Sequence, residues 1–173
     1  MKKTVLTFGL LAGALLSAMM LVTIPFADRI GYEKGQLIGY TTIVLAFLFV
    51  FFGVRSYREN VQSGWLSFGR GFAVGALITI IASICYVATW QVIYYRVTPD
   101  FTEKYAAYVI EKERAAGASE QAIAEKTEKM EKMKKLYANP VINAAVTFLE
   151  PLPIGLLISL VSSAILRRKR QGG

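Results

Sequence analysis

The chain has no histidine and a single cysteine, Cys85, set in the apolar run IASICYVATW. A disulfide within one chain is therefore impossible, and metal sites built on imidazoles or paired thiolates are excluded. Nucleophilic catalysis lacks its parts for the same reason. Cys85 has no imidazole to activate it, and no serine has a recognisable base beside it. Charge is also scarce: charged residues make up 18% of 173 residues against 54% apolar types, and long blocks carry none. That balance is too hydrophobic for a soluble domain of this size. Nothing implies a cofactor, and nothing points to nucleic acid; the partner the composition does imply is a lipid bilayer.

A bilayer core takes about 20 mostly apolar residues as helix. Four stretches meet that length, at 4–24, 37–54, 72–95 and 146–166. They predict an all-α protein, a four-helix transmembrane bundle. The first stretch follows Lys2 and Lys3 and so resembles a secretory signal, but it stays free of charge through Ile24. A signal's apolar core is about 7–15 residues, so a retained span is expected.

With an even number of spans, both termini and the middle loop share one side. That side holds Lys2, Lys3, Arg55, Arg58, Arg70 and the tail Arg167, Arg168, Lys169 and Arg170, opposed by Glu59 alone. The other side holds a short loop with Asp28, Arg29, Glu33 and Lys34, then a long segment whose acids and bases nearly balance. Basic density therefore predicts cytoplasmic termini. The long segment then lies outside the cytoplasm.

Small residues recur at spacing four, which puts them on one helix face. The first span has Gly9, Gly13 and Ser17; Gly31, Gly35 and Gly39 lead into the second; the third has Gly71, Gly75, Thr79 and Ser83; the last has Gly155, Ser159 and Ser163. Such stripes let helix backbones approach closely in lipid, and they predict the packed seams of the bundle. Surplus stripes would also allow a homo-oligomer. Aromatic residues near the span ends, Tyr57, Trp65, Phe68, Trp90, Tyr94 and Tyr95, read as an interfacial belt.

Between the third and fourth spans lies an extracytoplasmic helical insert, 100–138. Asp100 with Glu103 resembles a capping box, and Phe101, Tyr105, Tyr108 and Val109 then share a helical face. Gly117 interrupts the run, Ser119 can cap a second helix, and Ile123, Met130, Met133 and Tyr137 form a broken apolar stripe. Two amphipathic helices, or one kinked helix, are expected. They would cap the bundle, lie on headgroups, bind a membrane or periplasmic protein partner, or pack on each other in solvent.

The stretch FLEPLPIGLL carries the one acidic group within the spans, Glu150. A bare carboxylate about one turn inside the hydrocarbon edge is costly, so it should face the bundle, a partner or water. Pro151 and Pro153 each remove a backbone donor, and with Gly155 they predict a kink or a broken turn. Arg96 ends the third span on the same side, so a Glu150–Arg96 ion pair is expected, with Gln91, Tyr94 and Tyr95 as further donors. The alternative is a cation or proton site on a transport path. Only one such acid, no internal repeat and a shallow position weigh against it.

In order, the features are a basic start and first span, GWLSFGRGFAVG opening the third span, YYRVTPDF leaving it, a charged insert, then NP and TFLEPLPIGLLISLVSS before a basic tail. This arrangement resembles the bacterial family catalogued as domain of unknown function 4199, over nearly the whole length. The resemblance implies a small multi-pass inner-membrane protein and no assigned chemistry. Together the readings predict a non-enzymatic partner-binding or accessory membrane protein, with a small carrier or channel using Glu150 as the alternative.

Overall fold

The computed structural model describes residues 1–168, so Lys169 and Arg170 of the basic tail lie outside the described residues. Helix α1 (Lys2–Thr23) runs into a 3-10 turn at Ile24–Phe26, where Pro25 cannot donate, and a short α2 (Ala27–Ile30) follows. Gly31, at φ 86°, makes the reversal into α3 (Tyr32–Asn60), a conformation that costs glycine little. A loop leads to α4 (Phe68–Val92), which continues through a π turn at Ile93–Val97. The insert consists of α5 (Phe101–Ala115) and α6 (Glu120–Ala138), and the last span is two helices, α7 (Pro140–Leu149) and α8 (Leu152–Leu166). Among the described residues four helical rods are long and apolar enough to cross a membrane: Lys2–Ile30, Tyr32–Asn60, Phe68–Val97 and Pro140–Leu166. The protein is an all-α, multi-pass membrane bundle.

The direction of each helix is written in its seams. An added Cβ at Gly9 would lie 2.8 Å from Ile81, and one at Gly13 would lie 2.6 Å from Cys85; one turn on, Thr89 Oγ1 donates to Ser17 Oγ at 2.7 Å. Residue numbers rise together, so α1 and α4 run parallel. On the opposite face of α4 the order is reversed: Gly71 meets Ser163, Gly75 meets Ser159, and Gly155 meets Thr79. Here the helices are antiparallel. Hydroxyls in this seam bond back to their own helix, Thr79 to the Gly75 carbonyl at 3.1 Å, Ser159 to Gly155 at 2.7 Å and Ser163 to Ser159 at 2.6 Å. They present a small, satisfied surface to the neighbouring backbone, which hydrocarbon requires.

Three of the four small-residue stripes thus lie at helix contacts. The stripe leading into α3 does not: among the described residues, no atom lies within 4 Å of an added Cβ at Gly31, Gly35 or Gly39. Another glycine, Gly53, takes the close approach on that helix, its Cβ position 2.4 Å from Ile78. The central core is Leu16, Ile43, Phe47, Val50, Val54, Val74, Ile78 and Ala82.

The loop after α3 is bound to the chain's end. Leu66 and Arg168 exchange backbone hydrogen bonds of 3.0 and 2.9 Å, and Arg58 donates to the Leu166 carbonyl at 3.4 Å. Arg70 lies over the Trp65 ring and donates to Gln62 Oε1 at 2.9 Å. The interfacial-belt reading needs correction at Tyr57, Trp90 and Tyr94, which are at most 8% exposed and packed inside the protein. Buried Trp and Tyr still need partners for their polar atoms, and here side chains supply them.

Candidate functional site

Asn139 ends α6 in an extended conformation and caps α7, its Oδ1 accepting from the amides of Val141 and Ile142. With Pro140 at the first helical position, this cap turns the chain from the insert back into the bundle. Four residues on, Asn143 is fully buried. Its Oδ1 accepts from Trp90 Nε1 and from Gln91 Nε2, both at 2.9 Å, and its Nδ2 donates to the Tyr137 carbonyl at 3.3 Å. Asn143 joins α4, α6 and α7. Its one sequence signal, absent from the expected site, is a lone amide in the apolar run PVINAAVTFL.

The last span breaks at Glu150 and Pro151, between α7 and α8. Pro153 lies within the first turn of α8, where its missing N–H costs nothing. Gly155 is not itself the kink; it is the closest approach of α8 to α4, with Thr79 Cγ2 2.3 Å from its Cβ position.

Glu150 does not pair with Arg96. Its Oε2 accepts from Tyr86 Oη at 3.0 Å, and among the described residues it makes no ion pair. Arg96 is exposed. The expectation failed on depth. The rod Phe68–Val97 has 30 residues, about 45 Å of helix, and overshoots a hydrocarbon core of about 30 Å. Arg96 lies ten residues beyond Tyr86, in the π turn that continues α4 and about 15 Å further along the rod. The other expected donors are engaged elsewhere: Gln91 with Asn143, and Tyr94 Oη with Thr102 Oγ1 at 2.8 Å. Tyr95 is exposed. Tyr86 lies at the depth of the carboxylate rather than at the end of the span, and no local signal in the sequence marks that level.

The insert folds back over this end of the bundle. Tyr32 meets Phe101, Tyr105 and Tyr108, with ring centroids 6.1, 5.6 and 4.9 Å apart, and Trp90 packs edge-on against Phe101 at 5.3 Å. Ion pairs tie the rim: Lys104 reaches Asp28 at 3.0 Å, and Lys112 pairs with Glu33. Asp100 does occupy the N-cap position of α5, but its side chain makes no cap bond and instead pairs with Lys104 at 3.0 Å. Hydrogen bonds donated to Asp100 and Asp28 hold the Lys104 ammonium above the usual lysine range, as the bond donated to Glu33 does for Lys112. Ser119 does cap α6, accepting from the Ala122 amide at 3.2 Å.

Between insert and bundle lies a cavity of about 600 Å³. Glu150 and Tyr86 are in its wall, and so are Gly35 and Gly39, whose missing side chains keep it open. Both predicted apolar faces of the insert line it, Tyr105, Tyr108 and Val109 from α5 and Met130, Met133 and Tyr137 from α6.

The model of a family described as a protein of unknown function, DUF4199, matches residues 7–168. The chain belongs to this family. The match takes in all but the start of the first span, the other three spans, the insert and the broken helix of this DUF4199 protein, so the cavity falls inside it. No curated protein and no solved structure matches the chain.

Proposed function

We propose that this DUF4199 protein acts without catalysis, as a binding or accessory component of the bacterial inner membrane, and that the vestibule beneath its helical insert is where it binds. The observation that carries this reading is the cavity itself: about 600 Å³ falls in the range of small-molecule sites, and both amphipathic faces of the insert are committed to its wall. Its charged opposite face is left for a protein partner. The distribution of basic residues at the chain's ends supports cytoplasmic termini, so the vestibule opens on the periplasmic side.

A second reading, a cation- or proton-linked carrier, has one observation in its favour: a carboxylate at a broken transmembrane helix borders the vestibule. Packing beneath it favours binding over passage. Gly155 against Thr79 and Phe47, then Ser159 against Gly75, close the α4–α8 seam with approaches that leave no room for a methyl group.

A single thiol tests the first reading. In a Cys85→Ser background, Gly39→Cys places a thiol in the vestibule wall where a Cβ meets nothing within 4 Å. It should react with a membrane-impermeant methanethiosulfonate added to right-side-out spheroplasts. If that thiol stays unreactive from either side of the membrane, the vestibule is not an aqueous binding site; reaction from the cytoplasmic side alone would reverse the orientation.

A further inference from the structure

The chain has nine tyrosines, and six of them line this one cavity: Tyr32, Tyr40, Tyr86, Tyr105, Tyr108 and Tyr137. Trp90 and Phe101 join them. A surface rich in phenol rings offers many negative π faces, which attract cations stripped of part of their water. The formal charges of the wall have the matching sign. Its acids are Glu33, Glu113 and Glu150, and its bases are Lys112 and Lys126. Lys112 pairs with Glu33, and Lys126 pairs with Glu113 at 3.0 Å. Glu150 is left over. Its Oε2 takes the Tyr86 hydroxyl, and its Oε1 has no hydrogen-bond partner among the described residues.

Resting on the vestibule reading above, we propose that the vestibule's ligand is a monovalent organic cation, an ammonium group carrying apolar substituents, with the tyrosine rings around the charge and Glu150 as its counter-ion. The residue types decide between cation classes. A small metal ion needs several oxygen, nitrogen or sulfur ligands converging on it. Among the described residues no group of three or more His, Cys, Asp or Glu is placed to hold one. One unpaired carboxylate in a wall of aromatic rings and two methionines suits instead a diffuse charge on an apolar body, which needs few oxygens and much contact surface. Tyr86 is a positioning residue: by donating to Oε2 it fixes the carboxylate and leaves Oε1 toward the ligand.

Choline and its uncharged carbon isostere 3,3-dimethyl-1-butanol have nearly the same shape and differ in charge. Trp90 lies in the wall, so its fluorescence in a Trp65→Phe background reports binding in lipid nanodiscs. Choline should give a saturable change at a concentration about tenfold lower than the isostere, in line with a cation–π and ion-pair contribution. Glu150→Gln keeps an oxygen for the Tyr86 hydroxyl and should fold, yet lose that preference; Glu150→Asp, which restores the charge, should recover part of it. Equal binding of both probes, or a preference that survives in Glu150→Gln, overturns the cation assignment and leaves the vestibule standing. Silence from both probes while the Gly39→Cys thiol reacts also overturns it. Silence together with an unreactive thiol removes the vestibule reading itself.

Discussion

Replacing Gly155 with alanine tests how the bundle is held together. The new methyl carbon would sit 2.3 Å from Thr79 Cγ2, 2.7 Å from Thr79 Oγ1 and 2.9 Å from Phe47 Cζ. Neither neighbour has an easy retreat. Thr79 and Phe47 are both fully buried, and a β-branched side chain in a helix has few rotamers, here further held by the bond from Thr79 Oγ1 to the Gly75 carbonyl. Overpacking of this kind costs about 1–3 kcal/mol, offset by up to about 1 kcal/mol from alanine's better helix propensity. A net loss of about 1–2 kcal/mol is expected. Equilibrium unfolding in mixed micelles, with increasing mole fraction of denaturing detergent, measures it. Thr79→Ala removes the two closest of the three clashing atoms, so the double variant should recover at least about 1 kcal/mol relative to additivity. Gly35→Ala is the internal control: its Cβ meets nothing within 4 Å, so it should be neutral or stabilising by up to about 1 kcal/mol. A Gly155→Ala protein as stable as its parent, or a penalty unchanged by Thr79→Ala, would refute the claim that α4 and α8 meet backbone to backbone.

Other outcomes follow from the polar groups. Asn143→Ala strips the partner from the buried Trp90 indole and from Gln91, so it should cost about 2–4 kcal/mol and shift Trp90 emission to the red; an unchanged spectrum argues against the hub. Ser83 Oγ is a buried side-chain oxygen with no hydrogen-bond partner among the described residues, so Ser83→Ala should be neutral or stabilising by about 1 kcal/mol, and a clear loss of stability would reveal a partner. The rim pairs Lys104–Asp28 and Lys112–Glu33 are exposed, so raising salt from 0.05 to 1 M should speed limited proteolysis of the insert, as the Debye length falls to about 3 Å. The Lys104 pKa is raised in the folded state, so its contribution is full below the ordinary lysine range and fades only as pH climbs past it. Proteolysis should then be flat between about pH 7 and 9, and a steep rise within that window would contradict the assignment.

Much of the secondary structure is legible along the chain because its signals are local. Gly117 takes φ 75° after α5, Ser119 and Asn139 cap the next two helices, and Glu150–Pro151 interrupts the last span, each decided by the residue and its immediate neighbours. Site partners are not local. Gln91, Tyr94 and Arg96 were sensible donors for Glu150 if two helices end at the same height, but α4 overshoots and the partner is Tyr86. Likewise the spacing of Gly31, Gly35 and Gly39 matches that of the stripes that pack, yet these three glycines face open space. Trp90 and Tyr94 carry the composition of an interfacial belt, and the insert buries them.

What the amino-acid order settles unaided is the set of rods and their interruptions: hydrocarbon accepts a chain only with its backbone hydrogen bonds closed, so long apolar runs must be helices, and two prolines beside a carboxylate must break one. Tertiary structure alone decides which faces meet, since the register of one helix on another depends on tilt, overshoot and the close fit of opposing backbones. That register brings Tyr86 level with Glu150, makes Asn143 the tie between Trp90 and Gln91, and turns two unpacked glycines and six scattered tyrosines into the wall of one cavity.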